Sequence, residues 1–228
     1  MLHLSVSAAA PDPSAIGRAA ALMQQGSIAA IPTDTLYGLA ANPFDGAAVA
    51  RLFTVKGRAK EKALPIVASS RAQVEATLGA LSPLASRLAD AFWPGPLTLI
   101  VPAPSTLAPE VTGGTGTVAV RVPDHAATRA LCDACGWPLT ATSANRSGEP
   151  PTGDPVVVEQ TLGALVDLLV DAGLTPGGPP STIVDVTESE PRLVRAGATP
   201  WAPPGRSTRS GRCFRTPPRS SRASGSTR

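Results

Sequence analysis

The chain has 228 residues, 43% hydrophobic and 16% charged, with a mean hydropathy of +0.09. That balance can bury a core, which excludes a wholly disordered chain, and no apolar run approaches the roughly 20 residues of a membrane-spanning helix. The formal charge of +3 is uneven: Arg206, Arg209, Arg212, Arg215, Arg219, Arg222 and Arg228, seven arginines without an acid, leave residues 1–201 at −4.

The first residues, MLHLSVSAAAPDPSA, have no basic region ahead of a long apolar stretch and do not read as a signal peptide. Three cysteines without an export signal point to a reducing, cytoplasmic location. Apolar residues at helical spacing (Ile16, Ala19, Ala20, Met23) predict a helix over 13–25, closed by Gly26. A strand over 28–31 follows, then Pro32 and a polar knot, Thr33, Asp34 and Thr35, with the sole tyrosine at Tyr37. Asp45 caps an expected helix over 45–55 with a Val49, Leu52, Phe53 stripe. The charged stretch KGRAKEKALP leads to a short strand over 64–68. Helices are expected over 71–78 and 83–92, a strand over 97–101, and a glycine turn, TGGTGT, before a strand over 118–122 that holds Arg121 between valines. A helix over 126–135 and a strand over 139–142 come next, the strand ending in SANRSGEP. One long helix over 156–172, closed by Gly173, precedes strands over 181–186 and 193–195. Mixed strands and helices predict one α/β domain over 1–200 with a twisted, open, mixed sheet and flanking helices. Residues 201–228, rich in Arg, Ser, Pro and Gly, read as a disordered tail that could touch RNA phosphates or simply be solvated.

Small polar or basic groups follow strand ends at 31–38, 56–62, 112–121, 141–148, 181–182 and 195–197, where ligands collect in open α/β sheets. Lys56, Arg58, Lys60 and Lys62 alternate and could line one anion site, or form a solvated loop beside Glu61. Ser143, Asn145, Ser147 and Gly148 could hold a phosphate or ribose, or only turn the chain. Arg121 faces either solvent or a cavity with a carboxylate ligand. No phosphate-binding G-x-x-x-x-G-K-[ST] motif occurs, and His3 and His125 cannot make a three-histidine zinc site. Cys132 and Cys135 read as packing residues, and Cys213 as an exposed thiol. The residues alone thus describe an anion- and hydroxyl-rich site without a nucleophile or metal cluster.

PTDTLYGL (32–39), KGR (56–58), FWPGPLT (92–98), TVAVRVPDH (117–125), TSANRSGEPPT (142–152), STIVD (181–185) and LVRAG (193–197) occur in this order. Together they resemble the YrdC/TsaC family of threonylcarbamoyl-AMP synthases over roughly residues 12–200. The resemblance implies a YrdC-like sheet curved around a positively lined cavity. It implies synthesis of threonylcarbamoyl-adenylate and pyrophosphate from L-threonine, bicarbonate and ATP with Mg²⁺, and a downstream complex that transfers the group to tRNA. Direct contact with tRNA would be transient, and no membrane is involved. By motif, Lys56, Arg58, Ser143 and Asn145 would be catalytic. Thr35, Tyr37, Val67, Arg121, Ser143 and Ser181 would hold threonine. Arg58, Lys62, Thr117, Ala141, Ser143, Pro151 and Arg195 would hold ATP. Two departures stand out: Ala59 replaces a frequent proline, and Val67 a frequent histidine. Two rival readings are a paralogue with another acyl or carbamoyl substrate and an RNA-binding module; few aromatics and the charge of −4 count against the second.

Overall fold

A computed structural model describes residues 1–57 and 62–201. In chain order the elements are β1 (Leu2–Ser5), α1 (Pro13–Gln24), β2 (Ala29–Ile31), β3 (Gly38–Ala40), α2 (Gly46–Lys56), β4 (Ile66–Val67), α3 (Arg71–Leu78), α4 (Pro83–Phe92) and β5 (Leu97–Pro102). Then come α5 (Pro109–Thr112), β6 (Thr117–Arg121), α6 (Ala126–Cys135), β7 (Leu139–Thr140), β8 (Thr142–Ser143), α7 (Pro155–Leu162), β9 (Leu168–Asp171), β10 (Thr182–Asp185) and β11 (Arg192–Arg195). Arg58, Lys60 and the tail from 202 onward lie outside the described residues.

The expected single sheet is two mixed sheets. One runs β1-β9-β2-β3-β8 and the other β11-β10-β5-β6-β4-β7. The strand expected over 139–142 serves both: Leu139 and Thr140 pair with β4, and two residues later Thr142 and Ser143 pair with β3. At the crossing, Ala141 donates its N–H to Pro65 O and Thr140 to Ala41 O.

The long helix expected over 156–172 is also corrected. Asp154 caps α7, which ends at Leu162. Residues 168–171 are then a strand, paired in parallel with both β1 and β2. Its LLVD run is buried on both faces because helices and the second sheet cover it. Leu168, Leu169 and Val170 are apolar in succession, so their period does not separate strand from helix. β1 and β3 also lie outside the expected elements.

One core fills the space between the sheets, with Ala30, Leu39 and Leu169 from the first sheet and Leu97, Leu99, Val118, Val120 and Val184 from the second. The other lies under α1 and α6 and holds Ala29, Ile31, Val67 and Leu139. Strand alternation then fixes the site face. Val118 and Val120 point into the first core, so Thr117 and Arg121 point the opposite way. The registers Val67↔Arg121, Ile100↔Ala119, Ile183↔Thr98 and Ile183↔Arg195 place Thr98, Val67 and Arg195 on that same face.

Candidate functional site

Pro32 has no N–H to continue a ladder, and the chain turns at once after β2. Thr33 Oγ1 donates to Leu36 O at 2.7 Å and accepts the Thr35 N–H at 3.1 Å. The Thr33 and Thr35 hydroxyls are 3.1 Å apart. With the Thr33 proton on Leu36 O, Thr35 is the donor in that pair, and its lone pairs are left to accept. Between them, Asp34 reaches across to the second sheet. Its Oδ1 accepts from Arg121 Nη1 at 2.7 Å, and its Oδ2 accepts the Asp124 N–H at 3.1 Å.

Arg121 is only 8% exposed. Burial lowers its pKa, Asp34 opposes that, and Arg195 adds to it. A guanidinium stays charged regardless. Arg195 donates from Nε and Nη2 to Ser181 O at 3.1 and 2.8 Å and from Nη2 to Ser181 Oγ at 3.1 Å. Ser181 Oγ is 2.8 Å from Thr98 Oγ1. The chain after Arg195 packs back on this point: Ala198 donates to Pro180 O, and Thr182 Oγ1 donates to Thr199 O at 2.6 Å. Two guanidiniums and four hydroxyls (Thr33, Thr35, Thr98, Ser181) thus meet with one carboxylate. The local charge is +1, a setting that favours an anion.

A second group forms where α2 ends. Lys56 is 4% exposed, and its Nζ lies 2.5 Å from Ser143 O, 3.1 Å from Ser143 Oγ, 3.1 Å from Asn145 O and 3.0 Å from Asn145 Oδ1. A buried ammonium needs such partners. Ser147 donates its N–H to Lys56 O, and Asn145 Nδ2 donates to Arg146 O and Glu149 O. Lys56 therefore fastens the 143–147 loop to the end of α2.

Backbone links the two groups. Gly38 pairs with Ser143, Ala144 donates to Tyr37 O, and Tyr37 donates to Thr152 O. Thr35 O accepts from Gly177 N–H and Thr175 Oγ1. Tyr37 is fully buried; its hydroxyl donates to Gly173 O at 2.8 Å and accepts the Ala172 N–H at 3.2 Å. Its ring belongs to the core, so it braces the loop behind Thr35 rather than presenting a hydroxyl to a ligand. Val67 lies beside Arg121 on the neighbouring strand and packs into the core under α6. Thr117 lies at the start of β6, its hydroxyl 3.0 Å from Thr115 Oγ1. Ala141 marks the crossing between sheets, and Pro151 and Lys62 are exposed. Arg58 lies outside the described residues.

Asp34, Thr98, His125, Thr128 and Thr175 were not assigned roles from sequence. His125 caps α6 through Nδ1, accepting the Thr128 N–H at 3.4 Å, and Thr128 Oγ1 donates to Pro32 O. That ties the helix to the polar turn. The VPDHAAT run, a cap ahead of an apolar helix, was the available signal. Among the described residues no group of three or more His, Cys, Asp or Glu could hold a metal ion. No helix among them is long and apolar enough to cross a membrane. Two surface depressions, of about 400 and 560 Å³ around residues 82–87 and 185–193, are lined by none of these site residues.

The Sua5/YciO/YrdC family model, described as telomere recombination, matches residues 21–197. The threonylcarbamoyl-AMP synthase of Pyrococcus abyssi is 41% identical over 183 residues, which is 80% of this chain and 54% of that protein. The chain thus spans about half the length of that relative and of the Bacillus subtilis one. The threonylcarbamoyl-AMP synthase of Chromohalobacter salexigens is 41% identical over 176 residues, 77% of this chain and 94% of that protein. A crystal structure of P. abyssi Sua5 complexed with L-threonine superposes with a TM-score of 0.82 at 36% identity, covering 86% of this chain and 58% of that one. The match spans both residue groups described above, and on it the chain belongs to the Sua5/YciO/YrdC family.

Proposed function

We propose that the chain is an L-threonylcarbamoyladenylate synthase, a nucleotidyltransferase that makes threonylcarbamoyl-AMP and pyrophosphate from L-threonine, bicarbonate and ATP. One observation carries this reading: buried Arg121 pairs with one carboxylate, Asp34, while Arg195 adds a second guanidinium nearby, among threonine and serine hydroxyls. A second carboxylate, as on a hydroxy amino acid, would answer the remaining guanidinium charge, and the hydroxyls would meet its other polar groups. The names of the relatives, and the L-threonine bound to the P. abyssi protein, support the same substrate.

In this reading Arg121 holds the threonine carboxylate, and Thr35 and Ser181 meet its polar groups. Val67 gives an apolar wall, and Tyr37 braces the loop behind. The fastened Ser143–Asn145 loop, with Lys56 beneath it, meets the nucleotide phosphates. Arg58, Lys62, Thr117, Ala141, Pro151 and Arg195 complete the ATP site of a positively lined cavity. The threonine amine attacks the bicarbonate carbon and a C–O bond breaks with loss of water, giving a carbamate; a carbamate oxygen attacks the α-phosphorus, and pyrophosphate leaves. The chain then needs to align and neutralise rather than supply a nucleophile. Mg²⁺ would be held by ATP phosphate oxygens, since the described residues offer it no cage, and would offset their charge. The product would pass, in the cytoplasm, to a threonylcarbamoyl transferase complex acting on tRNA, with any tRNA contact of this chain transient.

Pyrophosphate release from ATP, Mg²⁺, bicarbonate and L-threonine tests the reading. Release that needs both threonine and bicarbonate, with serine much poorer, is expected. ATP binding without such release would overturn it in favour of a paralogue with another acyl or carbamoyl substrate.

A further inference from the structure

Asp34 sits between Thr33 and Thr35, and both of its carboxylate oxygens are taken up by groups of the protein. It spans 87 residues of sequence to meet Arg121, and both side chains are 9% exposed. Its contact with the guanidinium is end-on: Oδ1 accepts from Nη1 alone, and Oδ2 is taken by the Asp124 N–H. Among the described residues, Asp34 is the acid paired with Arg121. A guanidinium has five N–H donors, and its Nε–Nη2 edge is a fork matched to a carboxylate. Held by one nitrogen, Arg121 has no hydrogen bond on that fork among the described residues.

We propose that Asp34 is a positioning residue that aims this fork of Arg121 at the substrate carboxylate, resting on the threonine reading above. Two features favour aiming over competition. A competing counter-ion would take the fork with both oxygens, whereas here the second oxygen is anchored to backbone at Asp124. Moreover, Arg195 lies on the same sheet face and opposes the charge on Arg121, so removing Asp34 would leave the two guanidiniums without the acid that pairs with Arg121. Arg121 would then turn away from its neighbour and lose its orientation. The acid also sets the charge: with Asp34 the two guanidiniums leave one positive charge in excess, which one monoanionic carboxylate offsets.

The test compares Asp34→Asn, Arg121→Lys and the double variant in the full chain. Affinities for L-threonine, for its carboxylate-free analogue L-threoninol and for ATP are measured by calorimetry. Asp34→Asn keeps the shape and an acceptor but loses the charge. It should weaken L-threonine roughly tenfold or more, the scale of a lost charge-assisted hydrogen bond. It should move ATP less than about twofold, and the preference for threonine over threoninol should collapse. The double variant should be little worse than Arg121→Lys, because both act through one guanidinium. Unchanged or tighter threonine binding in Asp34→Asn, with Arg121→Lys weakened, would overturn the positioning role and leave the threonine reading standing. Equal loss of ATP binding would also overturn it, by making Asp34 a support of the whole site. Asp34→Glu, which keeps the charge at a longer reach, should recover part of the threonine preference; no recovery with an intact melt would count against an aiming role. If Arg121→Lys itself leaves threonine binding unchanged, the carboxylate reading fails, and the inference with it.

Discussion

At the scale of single residues, His125 links pH to the polar turn. Burial depresses its pKa, Arg129 adds to that, and Asp34 and Asp124 oppose it. A folded pKa below the unfolded value of about 6.5 means that protons favour the unfolded chain. Stability is therefore full above about pH 6.5 and falls as pH drops below it. His125→Asn keeps a capping oxygen for the Thr128 N–H but cannot titrate. Its unfolding free energy, from denaturant melts, should be flat between pH 6.5 and 5 relative to wild type; an equal fall would place the titration elsewhere. Residue types told much at this scale. A lysine and a serine–alanine–asparagine loop, 87 positions apart, read as anion chemistry, but nothing in the sequence shows that the Lys56 ammonium is spent on Ser143 and Asn145. The Asp34–Arg121 pair was illegible for the same reason: a contact at |i−j| of 87 has no local signature.

Among elements, the starts of the helices were legible where a cap marked them. Asp12, Asp45, Ser70 and Ser82 accept the first free N–H groups of α1 to α4, and Gly57 and Gly136 close α2 and α6 in the left-handed region. β9 was not, since a strand buried on both faces lacks the alternation that separates it from a helix. β11 ends in a turn that depends on Gly197. A Cβ there would fall 2.5 Å from Ser181 C and 2.6 Å from Ser181 O, with Pro180 O also in contact. These are backbone atoms that cannot swing aside. Gly197→Ala should cost about 1–3 kcal/mol of stability and loosen the Arg195–Ser181 contact, raising KM for ATP and threonine together. A wild-type melt with unchanged kinetics would show that the turn adapts.

For the molecule as a whole, the family match ends at residue 197, and a shorter relative, that of Chromohalobacter salexigens, is covered almost fully by 77% of this chain. A chain ended after Trp201 should therefore keep threonine-dependent pyrophosphate release; a large loss would assign the last 27 residues a part in the reaction. The sheet that carries the polar turn has a further consequence. Apart from the β2–β3 contact, every partner of β1, β2 and β3 lies at residue 142 or later. During synthesis at roughly 5–20 residues per second, the first strands wait on the order of ten seconds for β9 to emerge from the ribosome. Until then two of them hold only each other, in a hairpin too small to be stable alone. The polar turn after β2 is thus among the last parts of this domain to become structured, and a stalled nascent chain ending before β9 would expose unpaired strand edges to chaperones.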